Sequence, residues 1–85
     1  MTQNTKHFSE HQQNVLEAFD VMNMDVDIMV IYTRVYGDPG QLTTRECQQK
    51  LAPTFAEINR KSNDIFIEPG DLKRTYRCST LKPKV

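Results

Sequence analysis

The sequence predicts an α+β fold that is mainly α, with N-terminal helices, a helix-turn-helix and a C-terminal two-stranded β-hairpin. Three observations lead to this prediction. Apolar residues recur at helical spacing up to residue 36, two capping-box patterns lie close together after residue 42, and two strand-like runs follow them. With 85 residues, the chain is long enough for one modest core. We therefore expect one domain over residues 9–80, a disordered tail at 1–8 and a basic tail at 81–85.

The N-terminal part of the chain predicts two helices. Ser9 and Gln12 have capping-box spacing, and apolar residues then recur every three or four positions. Asn23 to Asp25 favours a break, because asparagine is tolerated after a helix and aspartate is a good N-cap. The predicted helices span 9–22 and 25–36, and Gly37 to Gly40 forms a turn after them. One helix of 28 residues, or a strand over the β-branched residues before residue 36, is the alternative.

The segment 43–63 predicts two short helices joined by a tight turn. It contains two capping-box patterns, in which a threonine and the glutamate three positions later satisfy backbone amides at a helix start. These pairs are Thr43 with Glu46 and Thr54 with Glu57. Between them, Ala52-Pro53 is expected to end the first helix, because proline disfavours the helical conformation in the preceding residue and has no amide to donate. This is the arrangement of a helix-turn-helix.

A β-hairpin is predicted over residues 64–79. Ile65-Phe66-Ile67 and the run from Thr75 to Cys78 are strand-like, and a Pro-Gly-Asp turn signal lies between them. Lys73 and Arg74 lie at the return, so the hairpin has a basic tip.

The formal net charge is zero, but the charges are unevenly distributed. Residues 1–40 contain two basic and six acidic side chains, whereas residues 41–85 contain nine basic and five acidic ones. Such asymmetry between halves is a pointer to a polyanionic partner. The positive half is the half with the predicted helix-turn-helix and hairpin.

The cysteines and histidines give no basis for an enzyme, a metal site or a cofactor. Cys47 and Cys78 are too far apart in the sequence for a CxxC metal-binding motif. The spacing instead favours two partly buried, reduced thiols. His7 to His11 matches the HxxEH spacing of a zinc-protease motif, but such a site needs a third ligand and a larger fold. Without a signal peptide or membrane span, we expect a soluble, cytoplasmic protein.

The order of helix, helix-turn-helix and hairpin resembles the winged helix-turn-helix family of DNA-binding domains, especially its short bacteriophage and bacterial members. The likeness covers residues 25–79 and rests on LTTRECQQKL, APTFAEINRKS and the strands from IFIEP to KRTYRC. It implies that the second helix of the motif enters the major groove of double-stranded DNA. It also implies that the hairpin, or wing, touches the backbone or the minor groove and that dimers read paired half-sites.

The resemblance implies a DNA-binding transcriptional regulator and a set of contact residues. Residues of the second helix would face the groove, residues at the first helix start would contact phosphate, and wing residues would contact the backbone. In that order, the candidates are Glu57, Arg60, Lys61 and Asn63; Thr43, Thr44 and Arg45; Lys73 and Arg74.

The N-terminal helices leave two further questions open. Their acidic, methionine-rich character is also typical of a protein-interaction module, for example a phage protein that binds a host factor, and this is the alternative function. The first helix has an apolar face that either covers the core as a lid or pairs with a second copy. We favour the homodimer, with an interface of Val15, Leu16, Phe19 and Met22.

Overall fold

The structure, a computed structural model, describes residues 8–80. Within them, three helices and three strands follow in the order helix, strand, helix, helix, strand, strand. They are α1 (Glu10–Glu17), β1 (Val26–Asp27), α2 (Ile28–Tyr36), α3 (Thr44–Lys61), β2 (Ile65–Pro69) and β3 (Thr75–Thr80). The small α+β fold is thereby confirmed. The predicted tail at 81–85 and the first seven residues lie outside the described part of the chain.

The sheet is antiparallel, with strand order β1-β3-β2. The strands β2 and β3 form the predicted hairpin, in which Ile67 pairs with Cys78. The third strand corrects the prediction of a helix over 25–36, since Val26 and Asp27 instead pair with β3. The N-cap of α2 is Asp27, whose carboxylate accepts a hydrogen bond from the Met29 amide at 2.8 Å.

The first helix is shorter than predicted. Its Ser9–Gln12 capping box is present, but α1 ends at Glu17 and does not reach residue 22. The Arg34 guanidinium, at the far end of α2, donates to the Ala18 carbonyl at 2.8 Å and binds Asp20 at 2.9 Å. These contacts hold the chain in a turn immediately after α1.

The two helices predicted within 43–63 are one helix, α3, which continues through Pro53. The Thr43–Glu46 capping box is present at its start, whereas Thr54 lies inside the helix. The two apolar pairs that were assigned to separate helices lie four, four and three positions apart, so they form one continuous stripe. These residues, Cys47, Leu51, Phe55 and Ile58, are all buried. Their burial offsets a proline cost of about 3 kcal/mol.

One hydrophobic core lies between the helices and the sheet. It takes apolar side chains from every helix and from both long strands. Phe8 belongs to this core, so its assignment to a disordered tail was wrong. None of the described helices is both long enough and apolar enough to cross a membrane.

Asparagine side chains cover the edges of the sheet. On the outer edge of β2, the Asn59 side-chain amide donates to the Ile67 carbonyl at 2.9 Å and its oxygen accepts from the Ile67 amide at 2.7 Å. On the other side, the Asn23 side-chain oxygen accepts from the Thr80 amide at 3.0 Å, and the Asn23 backbone amide donates to the Cys78 carbonyl at 2.9 Å. The Asn23 backbone is left-handed, which asparagine tolerates better than most residues.

Candidate nucleic-acid interface

The face of α3 opposite the core is exposed along its whole length. At about 100° per residue, positions 45, 49, 52 and 56 form one ridge on this face. The residues there are Arg45, Gln49, Ala52 and Ala56, and all four are exposed. Small side chains in the middle of the ridge leave the helix backbone open to close approach, with longer polar groups nearer the helix start.

The hairpin lies along α3, with its tip towards the helix start. Gln48, one turn into the helix, donates to the Tyr76 hydroxyl at 2.6 Å, and the Tyr76 ring packs on Phe55 with centroids 4.9 Å apart. Asn59, near the helix end, contacts the middle of β2. Because Tyr76 pairs with Pro69 at the end of β2, the hairpin tip lies towards the start of α3.

Three basic side chains without a partner among the described residues lie where the start of α3 and the hairpin tip come together. Within residues 8–80, Arg45, Lys73 and Arg74 make no side-chain ion pair or hydrogen bond. Arg45 is in the first turn of α3, and the other two are in the hairpin turn. Thr43 takes part in the capping box, where its oxygen accepts from the Glu46 amide at 3.1 Å, and Thr44 is half-buried.

The other four predicted contact residues lie at the opposite end of α3. Arg45 and Arg60 are about 22 Å apart along the helix axis, at about 1.5 Å per residue. Glu57 pairs with Arg60 at 3.6 Å and accepts from the Gln12 side chain at 2.8 Å. Lys61 donates to the Gln12 oxygen at 2.9 Å, so it ties α3 to α1, and Asn63 lies exposed beyond the helix end. The predicted residues therefore form two groups and not one surface.

The hairpin turn is held by side chains from outside it. The Asp25 carboxylate accepts from the amides of Asp71 and Leu72 at 2.9 and 3.1 Å. The Thr75 hydroxyl donates to the Leu72 carbonyl at 2.6 Å. Gly70 is required in this turn, because a Cβ there would overlap the Thr75 hydroxyl and the Asp25 carboxylate.

Arg77 pairs with three acidic groups beneath the turn. Its guanidinium lies 3.4 Å from Asp25 and 3.5 Å from both Glu68 and Asp71. Burial works against the charged guanidinium, but the three carboxylates outweigh burial and raise the pKa of Arg77. One guanidinium among three carboxylates leaves a formal charge of minus two beneath the turn. Lys73 and Arg74, by contrast, have no side-chain partner within residues 8–80.

Sequence reasoning missed three contributors to this region. Gln49 was not a candidate because the assumed break at Pro53 hid the continuous ridge. The in-phase spacing of the apolar residues was the signal that could have revealed it. The role of Asp25 depends on contacts with residues 46 and 47 positions later, and no local pattern indicates such contacts. Leu72 carries no sequence signal beyond its place in the turn.

The predicted dimer residues have different environments. Val15 and Phe19 are buried in the core of the single chain, and Leu16 packs against it. Met22 is exposed. Most of the apolar face of α1 is therefore used within one chain, which favours the lid alternative.

The described residues offer no centre for metal or thiol chemistry. No group of three potential metal ligands occurs among residues 8–80. His11 lies against Tyr36, with Nε2 3.1 Å from the hydroxyl, and His7 lies outside the described part. Both cysteines are free and buried. Burial raises the pKa of Cys47 and raises that of Cys78 to about 11, so both thiols stay neutral at physiological pH.

Comparison of the chain with protein-family models, with curated proteins and with solved structures finds no significant match to any of them.

Proposed function

We propose that the chain is a DNA-binding transcriptional regulator of the winged helix-turn-helix type, similar to short bacteriophage and bacterial members. The motif consists of α2 and α3, joined by residues 37–43, and α3 is its recognition helix. The hairpin of β2 and β3 is the wing. This assignment replaces the motif within 43–63, because that segment is a single helix.

The observation that carries the proposal is the grouping of Arg45, Lys73 and Arg74 at one end of the molecule. Unpaired cations without a structural partner are available for phosphate, and arginine also reads guanine edges in the major groove. They lie near the start of a ridge that has small side chains in its middle, which allows a helix to lie deep in a groove. Gln49 on the same ridge has the amide geometry that reads adenine.

The wing assignment is supported by the position of the hairpin along α3, with its tip towards the helix start. Recognition helices present their N-terminal residues to base edges. A hairpin tip at the same end would meet the DNA backbone next to the groove that α3 occupies. Lys73 and Arg74 then position the protein without specifying sequence.

The test is fluorescence anisotropy with a mixed-sequence duplex of about 30 base pairs at several salt concentrations. Three phosphate contacts per chain predict a slope of about −3 in a plot of log K against log salt. We expect Arg45→Ala to weaken binding and to reduce the salt slope by about one, because it removes one of the three phosphate contacts. Lys50→Ala is the matched control, because it removes the same charge about 140° away around α3 and should change affinity little.

Two outcomes would contradict the proposal in different ways. No binding at low salt would exclude the function itself. If the double change Arg60→Ala and Lys61→Ala abolished binding while Arg45→Ala did not, the C-terminal group of α3 would be the contact surface. DNA binding would then stand, and the assignment of the groove face would be wrong.

The second candidate function is a protein-interaction module. Its support is an exposed apolar segment after α1 that contains Val21, Met22 and Met24, the last 57% exposed. An open depression on α2 is lined by Met29, Val30, Thr33 and Arg34, and Arg34 also pairs with Asp20, which directly precedes this segment. Methionine suits adaptable protein interfaces. A protein complex formed there would lose far less affinity with salt than DNA binding does.

A further inference from the structure

Leu72 is the most exposed large apolar side chain among those described, at 67%, and it lies at the hairpin tip. A single exposed leucine is ordinary on a protein surface. This one is followed directly by Lys73 and Arg74, which have no side-chain partner within residues 8–80. The apolar group therefore lies in an exposed turn, between these two cations and Asp71, whose carboxylate is 87% exposed and pairs with Arg77.

The backbone of the turn is fixed, although its side chains are exposed. The Leu72 amide is held by Asp25 and its carbonyl by the Thr75 hydroxyl. The Gly70 amide donates to the Thr75 carbonyl, and the Arg74 carbonyl accepts from the Ile28 amide, both at 2.9 Å. A turn held at four backbone groups loses little conformational entropy on binding, so an exposed side chain on it acts as a preorganised probe.

We propose that Leu72 is a wedge that enters the minor groove of DNA, with Lys73 and Arg74 against its phosphate walls. This inference rests on the proposed function and assigns the tip more than backbone contact. Leucine is among the apolar side chains that unstack a base step from the minor groove, and the step then kinks towards the major groove. A kink of that sense bends the duplex around the protein and extends its contact with α3.

The apolar and basic side chains of the tip also predict which DNA sequences the protein prefers. The minor groove is narrow and strongly negative where A·T pairs predominate, which attracts basic side chains. Flexible pyrimidine–purine steps unstack at the lowest cost. The preferred ligand is therefore an A·T-rich duplex that contains a TA step, placed about half a helical turn from the major groove read by α3.

The experiment measures affinity and bending together, with the full chain and a 30-base-pair A·T-rich duplex labelled at both ends for energy transfer. Wild-type protein should raise the transfer efficiency by bending the duplex, and netropsin, which fills the minor groove, should compete. We expect Leu72→Ala to bind about three- to tenfold more weakly and to lose most of the bend. Val21→Ala is the matched control, because Val21 is also exposed but lies outside the hairpin.

The outcomes separate this inference from the function on which it rests. If Leu72→Ala binds and bends like wild type, or if netropsin does not compete, the wedge is excluded while DNA binding stands. If the wild-type protein does not bind any duplex at low salt, both proposals fail. An unchanged melting temperature for Leu72→Ala is expected from its exposure and shows that lost binding is not lost folding.

Discussion

At the residue scale, Arg74 has an unfavourable backbone conformation and an exposed positive charge. Its φ of 59° lies in the left-handed region, which costs a residue with a side chain about 1 kcal/mol relative to glycine. Glycine would be the favoured residue in this turn on conformational grounds alone. Strain at a residue that makes no side-chain contact within residues 8–80 is a reason to assign its side chain an external role.

The change Arg74→Gly separates these two properties. We expect stability to be unchanged or slightly higher, because the relief of strain is offset by the greater freedom of glycine in the unfolded chain. We expect DNA affinity to fall and the salt slope to decrease by about one. Thermal unfolding and salt-dependent anisotropy of the same sample measure the two effects.

Arg77→Gln is the control for that experiment. It leaves Asp25 and Glu68 beside a neutral side chain, so it should lower the melting temperature. If Arg74→Gly lowered stability as much as Arg77→Gln, Arg74 would be a structural residue of the turn and its assigned external role would be wrong.

At the scale of elements, the continuity of α3 has a measurable consequence. Pro53 is exposed in the interior of an 18-residue helix, where alanine is more favourable by up to about 3 kcal/mol. We expect Pro53→Ala to stabilise the protein by about 1–3 kcal/mol in denaturant unfolding. The matched change Ala52→Gly, at the neighbouring exposed position, should destabilise it by about 1 kcal/mol.

A turn between two helices would respond differently to the same pair of changes. There, Pro53 would be well placed, its replacement would give no gain, and glycine at residue 52 would be tolerated. A neutral or destabilising Pro53→Ala would therefore restore the original prediction of two short helices over residues 43–63.

The elements that sequence reasoning predicted correctly are those specified by neighbouring residues. The capping boxes at Ser9 and Thr43 and the β2–β3 hairpin depend on patterns within a few positions. The strand β1 has only two residues and exists because β3 pairs with it, so no local period could indicate it. The end of α1 depends on Arg34, which reaches the Ala18 carbonyl from 16 positions away.

The candidate interface also combines residues that local sequence identified with a grouping that only distant contacts produce. Arg45, Lys73 and Arg74 were named from their positions at a helix start and a hairpin return. That they lie at one end of the molecule follows from the Gln48–Tyr76 contact, which spans 28 positions. The assignment of Arg60 and Lys61 to the same surface depended on a helix break that does not occur.

At the scale of the whole molecule, the oligomeric state stays a prediction, and two residues that follow α1 distinguish the alternatives. Phe19 is buried against Phe55, with ring centroids 6.2 Å apart, whereas Met22 is exposed. If α1 is a lid, Phe19→Ala should destabilise the chain by about 3–5 kcal/mol without changing its mass. Met22→Asp should then change neither stability nor mass.

Sedimentation of the unmodified protein at tens of micromolar is the first measurement. We expect a monomer of 9.9 kDa, because α1 already buries most of its apolar face within one chain. A two-fold assembly that Met22→Asp splits into folded monomers would reverse that expectation and restore the dimer through α1.

The Asn59 amide that closes the outer edge of β2 also affects how copies of the protein behave towards one another. An open edge strand is a template on which identical chains add, strand by strand, into polymers. Asn59 occupies both outward backbone groups of Ile67. On β3, the Asn23 side chain accepts from the Thr80 amide, and the Asn23 backbone amide donates to the Cys78 carbonyl. By covering backbone groups on both sides of the sheet, these two asparagines therefore act against fibril growth.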